Sequence, residues 1–230
     1  MKRLLLILLS LFVLVGCGES EEEKQLKIKL ERESFIKDSI AQRELFILDS
    51  TVKAQKKQDS IKNAEYIKTN KKLFRIKKDE FSNQVWYFHK NTPQHIDVDG
   101  ILIYFTLNND KPYILRFRYQ YEDDDWLFIK GMVFNIDGEI FNIVPSKMNT
   151  DHRDYIWEWF DTYVGSDKEG VSKRFIEKLA NAKQAKVKLV GRYYEEVVNI
   201  TPKQIKAIKE TYDYYKALGG NFDYLTTLLK

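Results

Sequence analysis

The sequence has very little cysteine and histidine. Cys17 is the only cysteine among 230 residues, and the three histidines are His89, His95 and His152. A single cysteine excludes an internal disulfide and the paired thiolates of a structural zinc site. No histidine has a partner at the spacing typical of metal ligands, and there is no G-x-S-x-G nucleophile motif. The sequence therefore predicts no metal site, no cofactor and no catalytic residue.

The apolar run near the start of the chain is too short to cross a membrane. Residues 4–15 are uncharged, whereas a membrane-spanning helix needs roughly 20 apolar residues. Lys2 and Arg3 precede this run, which has the proportions of a secretory signal peptide. We therefore assign residues 1–16 to a signal peptide that is removed from the mature protein.

The residues Leu14-Val15-Gly16-Cys17 resemble the lipobox of bacterial lipoproteins. In that family, cleavage follows the residue that matches Gly16, and the thiol that matches Cys17 receives a diacylglycerol. The resemblance implies a lipid-anchored protein of the cell envelope. In a Gram-negative host it would lie at the outer membrane, with its domain in the periplasm or exposed on the cell surface. An ordinary signal peptide with an unmodified cysteine is the alternative.

Residues 19–80 contain no glycine, proline or tryptophan, and this absence marks a boundary. The segment is rich in Lys, Glu, Gln and Ala, which favour helix. All four prolines and all four tryptophans lie in residues 81–230, a length usual for one domain. We therefore expect an anchored, charged helical tether over 17–80 and a globular domain over 81–230. A partial seven-residue apolar repeat leaves a coiled coil open as an alternative to a single solvated helix.

Basic residues are concentrated in the tether. Between Lys53 and Lys78 there are ten Lys and Arg against two acids, whereas residues 81–230 carry 20 basic and 21 acidic residues. The net charge of +4 therefore reflects the tether and not a basic face on the domain. Since the chain is also predicted to leave the cytoplasm, nucleic acid is not an expected partner.

Period-two alternation indicates strands in the first part of the domain. Residues 115–121 alternate apolar and polar side chains, as a half-buried strand does. An Asp137-Gly138 pair supplies the positive φ of a hairpin turn. Further strands are predicted at 84–89, 101–107, from 126 to 129, 139–144 and 155–164.

Helical spacing appears towards the end of the chain. Residues 171–182 form one predicted helix, and a hairpin is expected about Gly191. Thr201-Pro202 is a typical helix start, and Gly219-Gly220 a typical helix end. The predicted fold class is α+β: an antiparallel sheet or sandwich with two or three helices, preceded by the helical tether.

Three aromatic segments resemble an uncharacterised β-rich domain that recurs in exported bacterial proteins. They are VWYFHKNTP at 85–93, DDDWLFI at 123–129 and YIWEWFD at 155–161. The resemblance covers most of residues 81–220. It implies a fold and no particular activity.

Two groups of carboxylates and the four tryptophans are the candidate functional residues. Asp97-Val98-Asp99-Gly100 is similar to the start of a calcium loop but lacks the later ligands, so we interpret it as an acidic turn. Glycoside hydrolysis needs two carboxylates a few ångströms apart, which Glu158 and Asp161 would have to supply. Alternation instead predicts core aromatics beside a solvated Glu158. Any tryptophan that faces solvent is a candidate for a binding surface: Trp86, Trp126, Trp157 and Trp159.

These observations together favour a protein that binds and does not catalyse. We expect a lipid-anchored envelope protein whose domain contacts another envelope protein, a peptide or a glycan, with the membrane as a second partner through Cys17. The alternative is an enzyme or ligand carrier acting on cell-wall or surface polysaccharide. A pocket with converging carboxylates would favour the alternative, and a filled core with a flat aromatic face would favour the first hypothesis.

Overall fold

The computed structural model describes residues 20–222. The chain divides into two units, residues 1–58 and residues 59–230. The predicted cleavage site and lipidation site, Gly16 and Cys17, lie outside the described residues. Within residues 20–222 no helix is both long enough and apolar enough to span a bilayer.

A single long helix, α1 (Glu21–Asn70), opens the described part of the chain. It begins with a capping box: Ser20 Oγ accepts from the Glu23 amide, and Glu23 Oε2 accepts from the Ser20 amide. Glu21, Glu22 and Glu23 also place negative charge at the positive end of the helix dipole. No residue of this described helix is buried, and large apolar side chains such as Phe35 and Phe46 are exposed. Near its end, Tyr66 and Ile67 are half-buried against the core. The predicted long helix is thereby confirmed.

Six antiparallel strands form the first sheet. They are β1 (Phe74–Lys78), β2 (Gln84–His89), β3 (Gly100–Asn108), β4 (Lys111–Asp123), β7 (Asn149–His152) and β8 (Ile156–Tyr163). Their order across the sheet is β1-β2-β3-β4-β8-β7, so β1 and β7 are the edges. Strand β3, which lies inside this sheet, is buried along nearly its whole length.

Four antiparallel strands form the second sheet, with two helices beside the sheets. The strands are β5 (Gly131–Ile136), β6 (Glu139–Ile143), β9 (Ala185–Val190) and β10 (Glu195–Ile200), in the order β10-β9-β5-β6. The helices are α2 (Lys173–Ala180) and α3 (Pro202–Ala217). The predicted capping at Thr201 is confirmed, since its hydroxyl accepts from the Gln204 amide. Antiparallel sheets with separate helices confirm the α+β class.

Aromatic side chains fill the core where these elements meet. Phe175 of α2 is fully buried, and its ring lies 5.4 Å from that of Phe117 in the first sheet and 5.0 Å from that of Phe134 in the second. Helix α3 covers the other end of the first sheet, where Tyr215 packs 5.4 Å from Phe105. Burying each of these rings stabilises the fold by about 2 kcal/mol, so the contacts between the sheets and the helices are a major source of stability.

Two predictions about individual segments are wrong. The segment from Trp126 to Ile129 is irregular and not a strand, with Phe128 at a positive φ of 52°. Glu158 is fully buried and not solvated, because its carboxylate accepts hydrogen bonds from the amides of Phe128 and Ile129 at 2.7 and 2.9 Å. The amides of Phe128 and Ile129 thus donate to a carboxylate and not to a neighbouring strand.

The folded part extends into the predicted tether. Strand β1 lies before residue 81 and pairs with β2, and Phe74 within it is buried against the rings of Tyr87 and Tyr214. Edge strand β7 also lacks a predicted counterpart.

Candidate functional site

One face of the first sheet is turned away from the core and carries three clustered rings. Alternation along β2 sends Tyr87 into the core and Trp86 and Phe88 to the opposite face, and register places Tyr104 of β3 beside Phe88. The Phe88 and Tyr104 rings are stacked at 4.8 Å, and the Trp86 ring stacks on Phe88 at 6.3 Å. Trp86 and Phe88 remain half-buried, so part of each ring faces solvent.

Two arginines share one carboxylate beside these rings. Asp161 of β8 lies opposite Arg118 of β4 and accepts from Arg118 Nε at 2.6 Å. Arg116 contributes its Nε at 2.7 Å and its Nη2 at 2.6 Å to the same carboxylate. The Tyr104 hydroxyl donates to Asp161 Oδ2 at 2.6 Å and accepts from both guanidinium groups. We call these four side chains the arginine cluster.

The arginine cluster keeps a net positive charge next to an apolar surface. Burial, followed by the charge of Asp161, raises the pKa of Tyr104 to about 12, so its hydroxyl stays protonated and donates. Burial alone would lower the pKa of Arg116, but Asp161 outweighs it and raises that pKa. The Arg118 guanidinium lies over the Tyr104 ring, 5.0 Å from its centre, and its side chain is 22% exposed. It is therefore positioned to meet a ligand.

An open cleft of about 500 Å³ lies over the rings and Arg118. Its lining side chains include four aromatic and three basic residues, together with two acids at the rim: Phe81, Trp86, Phe88, Tyr104, Lys77, Lys78, Arg118, Asp79 and Glu80. A second hollow of about 280 Å³ continues along the same face and shares Lys77, Phe88 and Arg118 with the first. The two hollows form one groove with a basic and aromatic middle.

The loop between β1 and β2 frames one end of this groove. Asp79 accepts from the Phe81 amide at 2.9 Å and from the Ser82 hydroxyl at 2.8 Å, which fixes the turn. The hydrogen bond from the Phe81 amide is the main reason why the pKa of Asp79 is lowered. The turn leaves the Phe81 ring 98% exposed at the mouth of the cleft.

A second loop frames the other end. The Arg75 guanidinium donates to the carbonyls of Lys90, Thr92 and Pro93 at 2.9, 3.0 and 3.1 Å, which holds this loop against the sheet. Gly100 is required underneath it, because a Cβ there would lie 2.6 Å from Pro93 Cγ. Both ends of the groove are therefore fixed by local hydrogen bonds.

The four tryptophans do not form one binding surface. Trp86 lines the cleft, but Trp157 is buried with its ring 5.8 Å from that of Tyr155. Trp126 belongs to a different cluster, stacked on Phe128 at 5.5 Å. Trp159 is half-buried on β8 and does not line the cleft. Of the predicted surface, only Trp86 contributes to the groove.

The histidines and carboxylates singled out in the sequence do not converge. His89 is buried and accepts from the Asn91 amide through Nδ1, so its Nε2 donates to Glu210 of α3 at 2.9 Å. Glu158 and Asp161 point to opposite faces of β8, so they are not a catalytic pair. Within residues 20–222, no group of three His, Cys, Asp or Glu side chains is placed to hold a metal ion.

Sequence reasoning missed the arginine cluster. The alternation in LRFRYQY does place Arg116 and Arg118 on one face, which is a usable signal. Their convergence on Asp161, forty-three residues beyond Arg118, depends on pairing between β4 and β8. No local pattern contains that register.

No family model, no curated protein and no solved structure matches this chain.

Proposed function

We propose that this protein is a lipid-anchored binding protein of the cell envelope, whose domain recognises a ligand carrying a flat ring and an acidic group. The observation that carries the proposal is the arginine cluster at the base of an open aromatic cleft. Pockets that bind small ligands combine an apolar lining with a few placed polar groups, which is the composition found here.

The rings and the cluster supply complementary parts of the recognition. Phe88 and Trp86 offer partly exposed apolar faces, on which a flat group gains stacking and hydrophobic contact. Arg118 offers a planar guanidinium that suits carboxylate, sulfate or phosphate oxygens. Asp161 already orients this guanidinium, so little side-chain entropy is lost when a ligand binds.

The lipobox-like start supports the envelope placement. Lipid on Cys17 would hold the chain at a bilayer, since two acyl chains anchor a protein where one does not. The described helix α1 would then act as the tether between anchor and domain.

Calorimetric titration of the full chain tests the binding proposal. The probe is naphthalene-2-sulfonate, with naphthalene-2-methanol as the analogue that lacks the charge. We expect the sulfonate to bind at least tenfold more tightly than the alcohol, because a hydrogen bond to a charged group contributes about 1.5–3 kcal/mol.

Two variants locate the binding. Lys77→Gln removes an exposed charge that lines the cleft, and Lys147→Gln removes an exposed charge outside it. Binding should weaken several-fold in the first and stay unchanged in the second. Equal affinity for the two probes, or equal loss in the two variants, would contradict the proposal.

A further inference from the structure

The groove is longer than a ligand with one ring would fill, and its basic residues Lys77 and Arg118 lie in the middle. The 500 Å³ cleft and the 280 Å³ hollow share Lys77, Phe88 and Arg118, and the loop at residue 81 and the loop at residue 93 stand at opposite ends. A ligand that fills both hollows must pass over the shared residues. We infer that the groove binds an acidic polysaccharide, whose sugar rings stack on the aromatics and whose carboxylates meet Arg118 and Lys77. This inference rests on the proposed function and names its ligand class.

The aromatic rings suit a pyranose. One face of a sugar ring is lined by C–H groups and is apolar, so it packs against the π-face of an aromatic side chain. Phe88 and Tyr104 stack with only 20° between their planes, and Trp86 and Phe88 with 15°. Tyr104 is only 3% exposed and packs against Phe88, so the rings that sugar units can reach are the partly exposed Trp86 and Phe88 and the exposed Phe81.

The basic side chains suit repeated carboxylates. Arg118 and Lys77 both line the two hollows, and Lys78 lines the larger one. Lys77 is exposed on a flexible side chain, whereas Arg118 is held in place by Asp161. A polymer with one carboxylate on each unit would place successive charges near successive basic groups.

The position of the groove argues against a peptide strand. A bound peptide gains affinity mainly from main-chain hydrogen bonds to a free sheet edge. The groove lies on the face of β1, β2, β3 and β4. Three of these strands already pair with a neighbour on both sides, and edge strand β1 lines the groove with side chains such as Lys77. A ligand lying on this face meets side chains, which is how rings and charges recognise a saccharide.

Titration of the full chain with oligogalacturonates of one, two, four and six units tests the inference. We expect affinity to rise with length and then to level off once the groove is filled. Maltohexaose supplies the same ring count without charge, tripolyphosphate supplies charge without rings, and a hexaglutamate peptide supplies charge on a main chain. Each of the three should bind at least tenfold more weakly than the hexagalacturonate.

Matched variants assign the contacts. Phe88→Leu keeps an apolar side chain and removes the ring, and Phe81→Ala removes an exposed ring at the cleft mouth. Both should weaken oligogalacturonate binding at least several-fold. Tyr193→Ala, which removes a ring 74% exposed outside the groove, should have no effect. Melting temperatures of all three variants identify any loss caused by misfolding, and Phe81→Ala keeps the test valid if Phe88→Leu is unstable.

The outcomes separate this inference from the proposed function. Binding of naphthalene-2-sulfonate without binding of oligogalacturonates overturns the saccharide class and leaves the proposed function standing. Tighter binding of tripolyphosphate or hexaglutamate than of hexagalacturonate also overturns the saccharide class. Absence of binding by every probe, the sulfonate included, overturns both.

Discussion

Replacing Asp161 by asparagine is the most informative perturbation of the arginine cluster. The carboxylate accepts three hydrogen bonds, from Arg116 Nε, Arg118 Nε and the Tyr104 hydroxyl, at 2.6–2.7 Å, and Arg116 Nη2 lies 2.6 Å from it in an ion pair. An asparagine oxygen can accept two of these, while its amide group faces the remaining donors. The substitution also leaves two guanidinium groups, 29% and 22% exposed, without a counter-ion.

The expected magnitude follows from this geometry. Removing one partner of a buried ion pair costs about 3–5 kcal/mol, and partial exposure reduces this figure through solvent screening. We therefore expect Asp161→Asn to lower the free energy of unfolding by about 3 kcal/mol. Arg118→Gln leaves the Arg116–Asp161 pair intact. It removes one partly exposed ion pair and one cation–π contact, so it should lower the free energy of unfolding by only about 1 kcal/mol.

Urea unfolding of the full chain at pH 7 measures both values. Tryptophan fluorescence reports on the domain, because all four tryptophans lie between residues 86 and 159. Asp213→Asn is the matched control, since it breaks an exposed pair with Lys209 on α3 and should cost less than about 0.5 kcal/mol. A cost for Asp161→Asn no larger than for Asp213→Asn or Arg118→Gln would refute the claim that one carboxylate holds the cluster together.

Three further predictions address the core, the pH dependence and the anchor. Phe175→Ala should lower the free energy of unfolding by about 3–5 kcal/mol in urea titrations, whereas Phe81→Ala should change it little. Burial lowers the pKa of His89 in the folded state, so the unfolded chain binds an extra proton below about pH 6.5 and stability should fall there, with a smaller slope in His89→Gln. Cys17→Ser should abolish partitioning into detergent on phase separation, and unchanged partitioning would exclude lipidation.

Much of the fold could be predicted because many segments carry a local sequence pattern that fits only one structure. Strand β4 and the turn at Asp137-Gly138 follow directly from local patterns, as do the start of α3 at Thr201 and its end near Gly219. In each case the residues that decide the structure lie within a few positions of one another. Interactions between residues close in sequence are then sufficient to predict the structure.

Other segments have patterns that fit two structures. In β8, large apolar residues occur at both odd and even positions, so alternation alone does not decide whether Trp159 or Glu158 faces the core. Burial of Glu158 depends on amides thirty residues earlier. Strand β1 carries charged residues at three of its five positions and only two apolar residues, Phe74 and Ile76, and β7 is polar throughout, so neither has a strong apolar pattern.

The groove was the least predictable feature, because it is assembled across four strands. Trp86 and Arg118 belong to β2 and β4, and they line one cleft only after β3 has paired with both. Sequence can suggest which side chains share a face of one strand. It does not contain the register that joins the faces of several strands.

The claim that the groove binds an acidic ligand with a flat ring is tested most directly by NMR. The indole N–H signals of the four tryptophans and the arginine Nε–H signals of the full chain are followed during titration with naphthalene-2-sulfonate. We expect the Trp86 and Arg118 signals to shift with one saturating affinity while the Trp126 signal stays in place. Shifts at Trp126 with Trp86 and Arg118 unchanged would contradict it.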